Sequence, residues 1–136
     1  MKAKAKVDFS PYRSELEMLY AQFLDQLVRE GTIHSYYYEP STWHLGYRMS
    51  YCPDFLVILP DGSMEWHEVK GRPREDALVK LKAAASQYPL FSWALITAKI
   101  RKKGCTFYRK DVGSDLLREV GHLHLEGREN GNGKRR

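Results

Sequence analysis

Two cysteines, Cys52 and Cys105, are all that 136 residues contain, too few for a disulfide framework, and no secretion signal is legible. Reduced thiols in a cytoplasmic compartment are therefore expected. Long hydrophobic runs are missing too. The longest, Phe55 to Leu59 and Trp93 to Ile96, fall far short of the roughly 20 residues of a membrane helix, so no membrane partner is expected. Ten glycines and six prolines without a period exclude collagen-like and low-complexity classes. His34, His44, His67, His122 and His124 have no Cys-x-x-Cys or His-Glu-x-x-His companion, which leaves zinc little support. His122-x-His124-x-Glu126 has chelating spacing, but near a polar C-terminus.

What is present suits one globular domain: 43% of positions are hydrophobic and 29% charged, and a chain of this length buries roughly two-thirds of its unfolded surface without a staple. The net charge of +5 is unevenly spread. Val7 to Val69 holds three bases and ten acids, Lys70 to Lys110 eleven bases and two acids, and Asp111 to Glu126 one base and four acids. Residues 1–9 and 126–136 read as basic tails, the second disordered, around a domain spanning 10–125. An acidic half beside a basic half suits a site that holds divalent cations and a phosphate backbone together. Solvated helix faces and solubilising tails produce the same balance.

The spacing of Tyr12, Leu16, Leu19, Tyr20, Phe23, Leu24, Leu27 and Val28 predicts an amphipathic helix over Pro11 to Glu30, capped by Ser10 and stopped by Gly31. Thr32 to Glu39 and Trp43 to Tyr51 read as strands. Asp54 to Leu59, the turn Pro60-Asp61-Gly62-Ser63 and Met64 to Lys70 read as a hairpin. A second helix is predicted over Pro73 to Tyr88. Strands at Phe91 to Ala98 and Cys105 to Tyr108 follow, joined by a basic loop, with a last short helix over Val112 to Leu123. The pattern predicts an α/β or α+β domain, a mixed β-sheet flanked by helices.

Alternation along Met64 to Lys70 puts Trp66, Glu68 and Lys70 on one face and Glu65, His67 and Val69 on the other. If Asp54 pairs with Glu68 across the hairpin, two carboxylates and a lysine meet at one end of the sheet. Mg²⁺ takes one or two carboxylates and keeps places for water and phosphate. On the first helix Glu17 falls at roughly 100° within an apolar arc from about 300° to about 120°, whereas Glu15 falls outside it. An acid on an apolar face is costly unless paired or metal-bound. Each piece has a plainer reading: Glu-x-Lys in a strand is commonly a solvent-facing pair, and an inward helix acid can meet a buried arginine. The basic residues Arg72, Arg74, Lys80 and Lys82 suit phosphate contact or helix solvation, as do Lys99, Arg101, Lys102 and Lys103 in their loop. Tyr36, Tyr37, Tyr38 and Trp43 suit core packing better than stacking on unpaired bases. Neither cysteine has a plausible histidine partner in sequence for nucleophilic chemistry.

Pro53-Asp54 followed by Glu68-Val69-Lys70 resembles the signature of the PD-(D/E)XK nuclease superfamily. With Tyr12-Arg13-Ser14-Glu15-Leu16-Glu17 and Tyr51-Cys52-Pro53-Asp54-Phe55-Leu56, it is similar to the small phage endonuclease I type of Holliday junction resolvase. The likeness covers about Tyr12 to Lys110. It implies a restriction-endonuclease-like core and a phage-encoded, Mg²⁺-dependent endonuclease of branched DNA, with Mn²⁺ as substitute, possible homodimerisation and work in the host cytoplasm. It further implies Asp54, Glu68 and the Val69 carbonyl as metal ligands, Glu17 as the helix acid beside the metals, and Lys70 as the catalytic lysine. Arg13 joins the basic residues above as a DNA contact. The connection from Asp54 to Glu68 is longer than in the resolvase, and Tyr36 to Ser50 differs from its dimer-bridging strand.

Overall fold

A computed structural model of the chain describes residues 7–72 and 75–126, with 76 and 77 as backbone only. Helix α1 spans Glu15–Glu30. Its N-cap is Ser14 and not Ser10, because Ser14 has the extended backbone of a cap and its side chain takes the Glu17 N–H, while Glu17 reaches back past it to Arg13. The Ser14 hydroxyl accepts from the Glu17 N–H at 3.1 Å, and Glu17 Oε1 accepts from the Arg13 N–H at 3.3 Å. Pro11 therefore lies in the turn ahead of the helix. Gly31, at φ 77°, ends α1 as predicted, its N–H returning to the Leu27 and Val28 carbonyls.

The strands are β1 (Ser35–Tyr38), β2 (Trp43–Gly46), β3 (Met49–Tyr51), β4 (Phe55–Ile58), β5 (Met64–Val69), β6 (Ser92–Arg101), β7 (Gly104–Asp111) and β8 (Leu117–His124), with α2 (Glu75–Gln87) between β5 and β6. Six form one sheet in the order β1-β4-β5-β6-β7-β8, and β2 and β3 pair apart from it. Only β5 and β6 run parallel, which is why a helix must connect them. The architecture is the predicted α+β class, a mixed sheet flanked by helices.

Each face of the sheet has its own core. Leu19, Phe23 and Leu24 of α1 pack with Phe55, Val57, Val69, Ile96 and Phe107. Leu81 and Ala84 of α2 pack with Trp66, Trp93 and Leu95, together with Leu45 and Tyr51 from the β2–β3 hairpin. Thus β5 sends Trp66 one way and Val69 the other, as its alternation predicts.

Three sequence expectations change. The stretch from Trp43 to Tyr51 is a small hairpin and not one strand, because it turns at Tyr47-Arg48 and Gly46 pairs with Met49. The basic segment from Lys99 is no loop: β6 runs on to Arg101, paired with Gly104, so Lys99 and Arg101 are strand residues and only Lys102-Lys103 turns. The predicted last helix is strand β8. Leu116, Val120 and Leu123 have helical spacing, yet Leu116 and Leu117 are exposed, so that spacing did not report burial. Pairing with β7 decides instead, and Gly121 permits it: a Cβ there would lie 2.5 Å from the Phe23 ring.

Candidate active site

The β4–β5 hairpin sets the site's geometry. In its turn the Asp61 carboxylate accepts from the Ser63 N–H at 2.9 Å and its hydroxyl at 2.7 Å, while Gly62 takes φ 88°. The resulting register pairs Phe55 with His67, so Asp54 stands opposite Glu68 one step further on. Asp54 Oδ2 accepts from the Val69 N–H at 2.7 Å. Lys70 Nζ lies 3.0 Å from Glu68 Oε2, and the Tyr51 hydroxyl donates to Glu68 Oε1 at 2.7 Å. The Lys70 N–H reaches the Ile96 carbonyl at 2.9 Å, which holds the chain in line just past the end of β5. From the first turn of α1, Glu17 turns inward, and its Oε1 accepts from the Tyr38 hydroxyl.

Asp54, Glu68 and Glu17 are only 5%, 5% and 7% exposed and line one cleft of about 300 Å³ with Lys70. Burial, and then the neighbouring Glu68 charge, pushes the Asp54 carboxyl up to about 7. The Val69 N–H and Lys70 offset this only in part. Burial lowers the Lys70 ammonium, but Glu68, Asp54 and Glu17 outweigh it, and its pKa is raised. Of the three buried carboxylates only Glu68 has an ion pair among the described residues, with Lys70.

The basic residues separate. Lys80 lines the cleft, as does Arg13, which grips Glu39 through Nε at 3.1 Å and Nη2 at 3.3 Å. Arg72 is exposed just after the site. Lys82 faces a larger groove of about 520 Å³ between α2 and β6–β7. Because Val69 pairs with Ile96, β6 continues five residues past β5, and Lys99, Arg101, Lys102 and Lys103 lie on that extension, with Lys99 Nζ 5.5 Å from the Tyr108 ring centre. Arg74 and the chain termini, residues 1–6 and 127–136, lie outside the described residues.

Tyr36 donates to Asp25, Tyr38 to Glu17, and Trp43 packs among Trp66, Tyr88, Phe91 and Trp93, which bears out the packing reading for these three but not for Tyr37, which is exposed. His67 faces away from Glu68 into the α1 core, where its Nδ1 lies 2.7 Å from the Tyr20 hydroxyl. His122 lies 2.9 Å from Thr106 Oγ1. Burial pushes the Cys52 thiol up, away from nucleophilic use. Tyr51, Glu39, Ser50 and Cys52 were missed as cleft residues by sequence reasoning. Only Tyr51 carried a signal, its place three residues before Asp54.

Three buried carboxylates offer the oxygen donors that a hard cation takes, and Asp54 is held up first by burial and then by the neighbouring Glu68 charge. Among the described residues no three His, Cys, Asp or Glu side chains form a preformed metal cage. Mg²⁺ does not require one, since it keeps several of its own waters. Comparison with known proteins returns no match, either to a protein-family model or to a curated sequence.

Proposed function

We propose that this chain is a metal-dependent DNA endonuclease that hydrolyses phosphodiester bonds, acts on branched DNA as a Holliday junction resolvase does, and is phage-encoded. The chemistry rests on one observation: buried Asp54 and Glu68 meet in a cleft with Lys70 and the helix acid Glu17. The preference for branched DNA and the phage origin rest on the PD-(D/E)XK resemblance alone. Asp54, Glu68, Glu17 and the Val69 carbonyl would hold Mg²⁺, with Mn²⁺ as a substitute. When bound, the ion supplies a more acidic water and a counter-charge for the phosphate.

The chain's own groups do the rest. Lys70 stays protonated and, tethered to Glu68, can orient a water by hydrogen bond and offset charge growing on the phosphate. Tyr51 fixes the other Glu68 oxygen, so that carboxylate cannot swing. Arg13, Arg72 and Lys80 near the cleft, with Lys82, Lys99, Arg101, Lys102 and Lys103 further out, supply cations for flanking phosphates. Cutting two strands symmetrically calls for two sites, which a two-fold homodimer provides. Light scattering with and without DNA reads that state.

The test is cleavage of a labelled four-way junction beside the matching linear duplex, with Mg²⁺, Mn²⁺ or chelator, by wild type and Asp54→Asn. Metal-dependent cutting of the junction alone, lost in the variant, is expected. Cutting of both DNAs keeps the nuclease and discards the resolvase. Tight junction binding without cutting in any metal replaces both with a non-catalytic DNA-binding module.

A further inference from the structure

The β2–β3 hairpin is tied down along its stem. Gln87 Nε2 donates to the Leu45 carbonyl at 2.7 Å, the Tyr88 hydroxyl donates to the His44 carbonyl at 2.8 Å, and Leu45 is buried. Its tip is built differently. Gly46 pairs with Met49, so Tyr47 and Arg48 alone make the turn. Tyr47 is 87% exposed. Arg48 sits at φ 57°, a left-handed conformation that two-residue turns normally give to glycine or asparagine. Its guanidinium carbon lies over the Tyr47 ring, 5.1 Å from the ring centre, so the two side chains are presented together.

Neither choice serves packing. An exposed aromatic and a side chain in a strained backbone, adjacent on one tip, are costs that a fold does not need, and such strain gathers at functional positions. The location supplies the function. From the tip β3 runs directly into the cleft, where Ser50 and Tyr51 line the wall and Tyr51 holds Glu68. At about 3.4 Å per residue, Tyr47 and Arg48 lie within roughly 14 Å of Tyr51 along the strand, about four nucleotides of rise. Trp43, Tyr36 and Tyr38 are spent on packing and internal hydrogen bonds, whereas the Tyr47 ring has a face to offer.

A ring paired with a guanidinium takes a planar π partner and its phosphate. In an intact duplex every base is already stacked, so the gain comes only where a base is unpaired. We infer that the Tyr47–Arg48 tip is a stacking finger for an unpaired nucleobase, within a few nucleotides of the bond held in the cleft. This rests on the nuclease reading for its placement, but its test needs no cleavage.

Full-length protein in chelator is titrated into two oligonucleotides, one carrying 2-aminopurine at a one-base bulge and one carrying it fully paired, following anisotropy and 2-aminopurine emission. Wild type is expected to quench the bulged probe. Tyr47→Ala should bind the bulged DNA at least about tenfold more weakly while changing duplex affinity less than about twofold, and Tyr47→Trp should restore the difference. Arg48→Gly relieves the left-handed strain, so it should melt no lower than wild type while its binding loses about one phosphate contact's worth of salt dependence. Equal binding of both DNAs by Tyr47→Ala and wild type, equal losses on both, or no DNA binding by wild type overturns the inference. Cleavage of the same DNAs with Mg²⁺ is read separately: wild type that quenches but never cuts removes the nuclease reading and leaves the finger.

Discussion

Glu65 and Glu68 stand three residues apart on β5, facing opposite sides of the sheet, and their surroundings differ in kind. On the α1 side, Glu65 Oε1 meets Arg109 at 2.7 Å and His67 at 3.0 Å, while Arg109 Nε reaches Asp111 at 2.6 Å and His67 reaches Tyr20. Burial raises the Glu65 carboxyl, but His67 and Arg109 overcome it and hold the group at about 2. On the other side, Glu68 shares its end of the sheet with Asp54, with Glu17 nearby and one half-exposed lysine, and Asp54 rises to about 7. The second is a cluster of buried acids, whereas in the first Glu65 is half-buried and Asp111 is partly exposed. In the first, Glu65 and Asp111 both meet Arg109; in the second, Lys70 pairs with Glu68 alone, and on the nuclease reading a bound cation would balance the remaining acids.

The sharpest way to break this contrast is Lys70→Ala. On the nuclease reading it lowers the cleavage rate by about 10³-fold while costing about 1 kcal/mol of stability, since the pair is partly exposed. Single-turnover cleavage alongside a urea melt checks both, and a variant that keeps full turnover would falsify the role given to Lys70. Glu65→Gln should do the opposite: stability falls by about 1–2 kcal/mol because the largely buried Arg109 loses one of its two acidic partners and keeps only Asp111, while cleavage per folded molecule is retained.

The two clusters should also tilt stability against pH in opposite senses. Glu65, held below its ordinary 4.5, contributes stability that is complete above that value and is lost as pH falls towards 2. Asp54, raised from 3.8 to about 7, binds an extra proton when folded, so stability falls as pH climbs between those values. Each contribution is on the order of 2 kcal/mol after partial screening. Unfolding curves in chelator from pH 2 to 8 measure both; Asp54→Asn should flatten only the upper limb, and Mg²⁺ should flatten it in wild type. The smallest expected effect is Tyr51→Phe, which frees Glu68 Oε1 and should weaken Mg²⁺ binding about tenfold by titration calorimetry. No change there would reduce Tyr51 to a packing residue.

Much of this was legible before any coordinates. Period-2 alternation put Glu68 and His67 on opposite faces, and the strong Asp-Gly turn set the register that brings Asp54 to Glu68. The helical arc singled out Glu17 correctly even though the predicted cap was wrong, because burial follows angular position and not the first residue of the helix. Glu39 was illegible as a cleft residue, since it reaches the cleft from a separate segment, whereas Tyr51 lies three residues before Asp54 and carried that one signal. The β8 strand was misread for a related reason: its apolar spacing fits a helix, and only the open edge of β7 converts it to a strand.

Sequence alone determined the α+β class, helices α1 and α2 and the β4–β5 hairpin, and left the meeting of Asp54 with Glu68 as a condition on its register, because periodicity and turn chemistry act over a few residues. Tertiary structure decided which acids are compensated. Arg109 stands 44 positions from Glu65 and ion-pairs with it, whereas of Asp54, Glu68 and Glu17 only Glu68 has an ion pair among the described residues, with Lys70, while Arg13 and Lys80 line the same cleft. Charge balance in a buried site is a sum over neighbours in space, and their identity is written only in the folded chain.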